Sequence, residues 1–241
     1  MKDKVVIITG ASQGIGKAIA LELAKQPVKI AITYAGNQQK AEDVVSQITQ
    51  LGRESMAVKL DLKNLDTVKS LFSTVEESLG KVDVLISNAY GRSIFKPLAM
   101  IEETEYDEAF AYTKGTFFLL QEAAQKIRDH GSILVFSSGA TQMPTPAGGT
   151  YAGSKAAIER FAYSLGKELG NRKINVNVIS PGVTQTESLV APQEMVDQLV
   201  SQTPLGRLGT PQDIANAVVL LASDQGKWIN MQNIGVNGGI L

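Results

Sequence analysis

The chain alternates short, almost unbroken apolar runs with longer segments in which apolar residues recur every three or four positions. The runs are VVIIT (5–9), KIAITY (29–34), SMAVKL (55–60), VDVLIS (82–87), SILVFS (132–137), INVNVIS (174–180) and NIGVNG (233–238). They are rich in β-branched residues and nearly continuous in apolar ones, the pattern of strands buried on both faces. Between them the period becomes helical. Ala41, Val44, Val45, Ile48 and Leu51 form one stripe, and Leu65, Val68, Leu71, Phe72, Val75 and Leu79 form another. Further on, TPQDIANAVVLLAS opens with Thr210 as a cap, Pro211 at the first helical position and Asp213 in the first turn.

Seven strands with six helical connections predict an α/β fold: a doubly wound Rossmann sheet, seven-stranded and mostly parallel, with helices on both faces. The rival, an eight-stranded barrel, is one strand short. No repeat, low-complexity segment or linker interrupts the 241 residues, so residues 1–241 read as a single domain, a usual size for this class.

Charge and composition then remove several functions. The net charge is −1, from 23 basic and 24 acidic residues, and no block of like charge stands out. That excludes the electrostatic footprint of a nucleic-acid binder and a polybasic membrane anchor. No apolar run approaches the ~20 residues of a membrane-spanning helix. The chain enters KVVIITG almost at once, which leaves no room for a signal peptide, so the expectation is a soluble, cytoplasmic protein. With no cysteine, disulfides, thiolate metal sites and a cysteine nucleophile are excluded. The one histidine, His130 in RDHGS, reads as a helix C-terminal turn residue with Gly131 as the stop. No metal site is expected, and acid–base work falls to tyrosine, lysine or a carboxylate.

The first candidate chemistry lies after the first strand. VVIITGASQGIGKAIALELA passes through Gly10, Gly14 and Gly16 into a helix. A pyrophosphate needs a close backbone, exposed N–H groups and the positive end of a helix dipole, and glycines permit the approach. A tight strand-to-helix turn would also use glycines, but the loop sits in the first βα turn, where such sheets bind dinucleotides. It is not a phosphate-binding P-loop: Ala11 stands where the leading glycine should be, and Ala18 follows Gly16-Lys17 where Ser or Thr should be.

The second lies in GGTYAGSKAAIERFAYSLGKEL (148–169), where a tyrosine precedes a lysine by four residues twice, as Tyr151–Lys155 and Tyr163–Lys167. On a helix each pair shares a face. Each pair is therefore a solvated surface pair or a tyrosine made acidic by a neighbouring cation.

Taken with TGASQGIG (9–16), Asp61-Leu62, the NA of 88–89, Ser138, YAGSK (151–155) and PGVTQT (181–186), the chain resembles the short-chain dehydrogenase/reductase family over essentially its whole length. The tail from TPLGRLGTPQDIANAVVLLAS onward is similar to the 3-oxoacyl-[acyl-carrier-protein] reductase branch. The resemblance implies that Gly10, Ser12, Gln13, Gly14, Ile15 and Gly16 line the pyrophosphate and adenosine ribose, with Tyr34 and Asn37 at the end of the second strand. It implies Asp61 and Leu62 beside adenine, Asn88 and Ala89 beside the nicotinamide ribose, and Val183 and Thr186 at the carboxamide. Ser138, Tyr151 and Lys155 would be the catalytic group, with Tyr151 and Lys155 also touching the cofactor. Position agrees: Tyr151 opens its helix near the carboxyl ends of the strands, where open α/β sheets hold ligands. Tyr163 lies about 18 Å further along and roughly 120° around the axis, and reads as a helix-flank or interface residue.

Two departures accompany the match. The family's asparagine in N-x-x-G-x-F falls on Tyr112 counting back from KGTFF, or on Thr113 counting forward from Tyr106-Asp107, and Tyr90 stands where glycine is common. The implied activity is NADP-dependent hydride transfer to a ketone or 3-oxoacyl thioester, with small ketones, quinones, sugars and enoyl reduction as further options. The alternative is a weakly catalytic or non-catalytic dinucleotide sensor or scaffold. ITYAGNQQK carries no acidic residue before Glu42, which favours NADP over NAD, with Lys40 and Asn37 as candidates to meet the extra phosphate. Residues 187–207 form the expected lid over the substrate. Lys126, Arg128, Arg172 and Lys173 read as solvated surface, or else as a basic edge for an acyl-carrier protein. A homotetramer through helices at 103–128 and 151–170 and the last strand is the family's usual assembly.

Overall fold

In the computed structural model, which describes residues 1–240 other than Arg92, Thr145, Ser188 and Val190, each apolar run becomes a strand. These are β1 Lys4–Ile8, β2 Val28–Tyr34, β3 Ser55–Lys59, β4 Val82–Ser87, β5 Ser132–Phe136, β6 Asn175–Pro181 and β7 Asn233–Val236. They are joined through α1 Gly14–Leu23, α2 Gln38–Gln50, α3 Leu65–Leu79, α4 Glu103–Lys126 and α5 Gly149–Glu168, with α6 Gln193–Gln202 and α7 Pro211–Ala222 between the last two strands. The strand order is β3-β2-β1-β4-β5-β6-β7, and all six pairings are parallel.

Strand side chains alternate between the two faces, so each run feeds two cores. Val5 and Ile7 join Leu85, Ile133, Val135, Val176 and Val178 under α3, α4 and α5. Val6 and Ile8 join Ile30, Ile32, Ile86, Leu134 and Ile179 under α1, α2 and α7. The expected helix stripes are largely the buried ones; Val45 and Leu65 are half-buried, and Leu51 is 48% exposed because α2 ends one residue before it. Thr210 and Asp213 form the capping box of α7: the Asp213 N–H donates to Thr210 Oγ1 at 3.2 Å, and the Thr210 N–H donates to Asp213 Oδ2 at 2.7 Å.

One local expectation is corrected. α4 stops at Lys126, with Ile127 already extended, so His130 lies in the following turn and not in the helix's last one. His130 itself takes the left-handed conformation, at φ 63°, and donates its N–H to the Arg172 carbonyl at 3.0 Å. Gly131 is needed for space: a Cβ there would lie 2.7 Å from the Asp83 carbonyl oxygen. No helix among the described residues is long and apolar enough to cross a membrane.

Candidate active site

Strand order reverses between β1 and its neighbours β2 and β4, and the loops leaving them diverge into a crevice. It has a volume of about 440 Å³ and is lined by Gly10, Ser12, Gln13, Gly14, Ile15 and Gly16 from the glycine loop. Tyr34 and Asn37 close it at the β2 end, Asn88, Ala89 and Tyr90 at the β4 end, and Thr186 from above. The loop has no room for side chains. A Cβ on Gly16 would collide with the Gly10 carbonyl, and one on Gly10, at φ 65°, would lie 2.9 Å from Ala89 Cα. Gln13 precedes α1 without capping it through its side chain, so the first N–H groups of α1 remain free for an anion.

Buried hydroxyls hold the two sides together. Thr9 Oγ1 accepts from the N–H groups of Asn88 and Ala89 at 3.0 and 2.9 Å, and Thr33 Oγ1 accepts from the Gly10 N–H at 3.1 Å. The Asn88 side-chain amide donates to the carbonyls of Thr9 and Gly10 at 2.9 and 3.1 Å, so it staples the ends of β1 and β4. These groups fit a dinucleotide laid across the strand ends, with its pyrophosphate on α1.

Three further expected residues follow β3 and β6. The Leu62 side chain is buried in the core beneath α4, where a Cβ on Gly115 would strike its carbonyl, and Leu60 lines the cleft. The Asp61 carboxylate accepts from the Lys63 N–H at 2.9 Å. Val183 lends its carbonyl to the Gly209 N–H at 3.0 Å. At the β2 end, the Asn37 side chain caps α2 by accepting from the Lys40 N–H at 2.9 Å. Lys40 Nζ reaches back to Gln13 Oε1 at 3.0 Å, which sets a cation on the cleft's outer rim.

Ser138 ends the turn after β5 and caps a 3-10 turn at Gly139–Thr141, its Oγ accepting weakly from the Ala140 N–H at 3.3 Å. Its hydroxyl proton is left to donate. Tyr151 lies in the first turn of α5 and Lys155 one turn on. Lys155 is buried, 4% exposed; its Nζ donates to the Phe136 carbonyl at 3.1 Å and sits 3.9 Å from the centre of the Tyr90 ring. Burial pushes its pKa down to about 7, against the pull of the Tyr90 π face, which favours the cation.

The departures from the family pattern meet at this point. Tyr90 shares a 2.5 Å hydrogen bond with Ser154 Oγ. Since Ser154 donates to the Tyr151 carbonyl at 2.8 Å, the Tyr90 hydroxyl is the donor. Burial raises the Tyr90 pKa. Tyr112 stacks at a tilt on Tyr90, 5.5 Å between ring centres, and fills the space beside Gly91. Thr113 is buried and donates to the Ser154 carbonyl at 3.3 Å.

The second pair behaves differently. Tyr163 packs against the core under Arg160, 5.6 Å above its ring, while Lys167 is exposed. Sequence reasoning missed Glu159, which is buried on α5 and accepts from Ser137 Oγ at 2.5 Å and Thr141 Oγ1 at 2.6 Å.

Of residues 187–207, expected to form a lid, Ser188 and Val190 lie outside the described residues; α6 carries no fully buried residue among those described. The chain on either side of the segment is paired, with the Gln185 N–H donating to the Gly209 carbonyl at 2.8 Å. The basic residues considered for a carrier protein lie by the opposite, amino-terminal edge of the sheet. Lys126 pairs with Glu122, Arg128 with Asp83 and Arg172 with Asp129.

Comparison with known proteins places this geometry. A family model described as Enoyl-(Acyl carrier protein) reductase matches residues 10–241. A hydroxynaphthalene reductase-like protein, Arp2, of Metarhizium brunneum is 38% identical over 255 residues, covering 99% of this chain and 95% of its own length. Among solved structures, the angucycline C-6 ketoreductase LanV with bound NADP is 31% identical, with a TM-score of 0.93, covering 100% of this chain and 96% of its own. A short-chain dehydrogenase from Burkholderia cenocepacia in complex with NADP is 30% identical, with a TM-score of 0.94, covering 99% and 98%. Together with the parallel sheet and its glycine-lined crevice, these likenesses establish that the chain belongs to the short-chain dehydrogenase/reductase family of oxidoreductases.

Proposed function

We propose that the protein is an NADPH-dependent carbonyl reductase in which Ser138, Tyr151 and Lys155 act on one ketone oxygen. The observation that carries this reading is Lys155. A buried ammonium, one turn from Tyr151 on α5, touches the Tyr90 ring that lines the inner end of the nucleotide cleft. Bound NADPH supplies the hydride that reaches the carbonyl carbon. Charge then develops on the oxygen, where the Ser138 hydroxyl donates a hydrogen bond and Tyr151 delivers a proton. A free tyrosine, with a pKa near 10, is a poor acid–base group at neutral pH. The Lys155 cation favours its phenolate, and a lysine titrating near neutrality can return the proton.

NADP is favoured over NAD by the absence of a carboxylate at the end of β2, by Lys40 at the rim, and by the NADP held by related structures. The acceptor is a ketone. The tail's resemblance points to a 3-oxoacyl thioester, whereas the names of the relatives point to ring-bearing ketones. The Tyr106, Phe110, Phe117 and Phe161 rings on α4 and α5 support a homotetramer through these helices.

The test is NADPH consumption with an acetoacetyl thioester, repeated with NADH, beside Tyr151→Phe. Loss of a proton donor is expected to lower turnover by about 10²–10⁴-fold while NADPH still binds. Near-normal turnover in the variant would remove the assignment. A crotonyl thioester in the same assay separates ketone from enoyl reduction.

A further inference from the structure

Aromatic side chains crowd one flank of Tyr151. The Phe95 ring centre lies 5.4 Å from that of Tyr151, tilted at 48°, and Tyr90 stands edge-on at 5.7 Å. Both come from the β4–α4 connection, whereas residues 187–207 contain no aromatic residue.

This wall is anchored. The Tyr90 hydroxyl is bound to Ser154. The loop carrying Phe95 is tied to the start of α5 by the Lys96 N–H, which donates to the Ala147 carbonyl at 2.8 Å. Leu98 packs on Gly149 so closely that a Cβ there would lie 2.9 Å from Leu98 Cδ2. Lys96 Nζ is held by Glu105 at 2.9 Å and Glu102 at 3.8 Å, so it is no free cation for an anionic carrier arm. Yet Phe95, tied down in this way, is 59% exposed.

A phenyl ring held in water beside a proton donor is stabilised by whatever apolar surface covers it. The reaction limits the choice. A ketone oxygen in reach of Tyr151 and Ser138 brings the groups on its carbonyl carbon against Phe95 and the edge of Tyr90. Rings at these separations favour flat π surface in offset or edge-to-face contact over a flexible acyl chain.

We propose that the substrate is an aryl or fused-ring ketone, seated with its ring against Phe95 and Tyr90. The assignment rests on the carbonyl-reductase reading. A hydride from NADPH forms the new C–H bond, the carbonyl π pair moves to oxygen, and the oxygen takes the Tyr151 proton. The ketone is reduced to a secondary alcohol, and NADPH is oxidised to NADP⁺.

The experiment compares kcat/KM for 2-tetralone with that for the linear 3-oxobutanoyl thioester of N-acetylcysteamine, in the native protein, Phe95→Ala and Phe95→Leu. Tetralone is expected to be preferred by about tenfold. Phe95→Ala should remove the preference mainly through KM, and Phe95→Leu, which keeps bulk without a π face, should lose most of it. Preference for the linear thioester, or equal losses on both substrates, overturns the proposal. Binding is read separately, by calorimetric titration of 2-tetralol and of the linear 3-hydroxybutanoyl thioester into NADP⁺-saturated protein. A tetralol preference that Phe95→Ala abolishes sustains the aromatic seat even where neither ketone turns over, and the reductase reading then falls instead. Equal affinity for the two alcohols removes the seat and leaves that reading standing.

Discussion

Glu159 stands one turn beyond Lys155 on α5, and its carboxylate accepts hydrogen bonds from the hydroxyls of Ser137 and Thr141, the residues on either side of the Ser138 turn. It thereby fixes the turn that carries Ser138, from which the proposed mechanism has that hydroxyl meet a substrate oxygen. Glu159→Ala leaves both hydroxyls without their acceptor, a loss of about 1–3 kcal/mol, and is expected to lower kcat roughly tenfold or more. The KM for NADPH should stay within about twofold. Glu159→Gln keeps an acceptor oxygen and should recover most of the rate, and steady-state kinetics on the three proteins checks this. An NADPH affinity that falls in step with kcat would mean that the site as a whole had loosened. Glu159 extends the same four-residue series that exposed Tyr151 and Lys155 in the sequence. A helical carboxylate nevertheless reads as solvated until hydroxyls 22 and 18 residues earlier are brought to it. Tyr90 was visible only as a departure from glycine; its contact with Ser154 spans 64 positions.

At the scale of elements, the strands were legible because a parallel strand buried on both faces needs an unbroken apolar run. The glycine loop was legible because its demands are local. That Leu60 also lines the cleft was not, since it depends on where β3 ends and the chain turns toward α3. α4 and α5 present a further consequence. Phe117 is 42% exposed and Tyr106 49%, with Phe117 edge-on to Phe161 at 5.1 Å. If two copies pair through this face in the proposed homotetramer, Phe117→Asp buries a charge and should shift the assembly to smaller species by sedimentation. An unchanged sedimentation coefficient would place the interface elsewhere.

For the molecule as a whole, Lys155 ties folding to pH. Its folded pKa, about 7, lies below the ~10.4 of a free lysine, so between those values the unfolded chain holds a proton that the folded one has lost. Stability of the cofactor-free protein from this group therefore rises with pH through that window, by up to roughly 1.4 kcal/mol per unit. Thermal unfolding from pH 6.5 to 9 should show Lys155→Met losing that rise relative to the native protein; parallel curves would contradict the burial of a titrating ammonium.

The pairing of residue 184 with residue 209 has a consequence for how such a molecule diversifies. The chain leaves β6 and comes back beside its own departure before entering α7, so the stretch between is a cassette whose length the seven strands do not sense. Doubling a loop closed at its base costs only about 0.6 kcal/mol. If that stretch is the cover of the proposed site, new covers can be exchanged at little risk to folding, while the ring-lined wall tied to α5 stays behind unchanged.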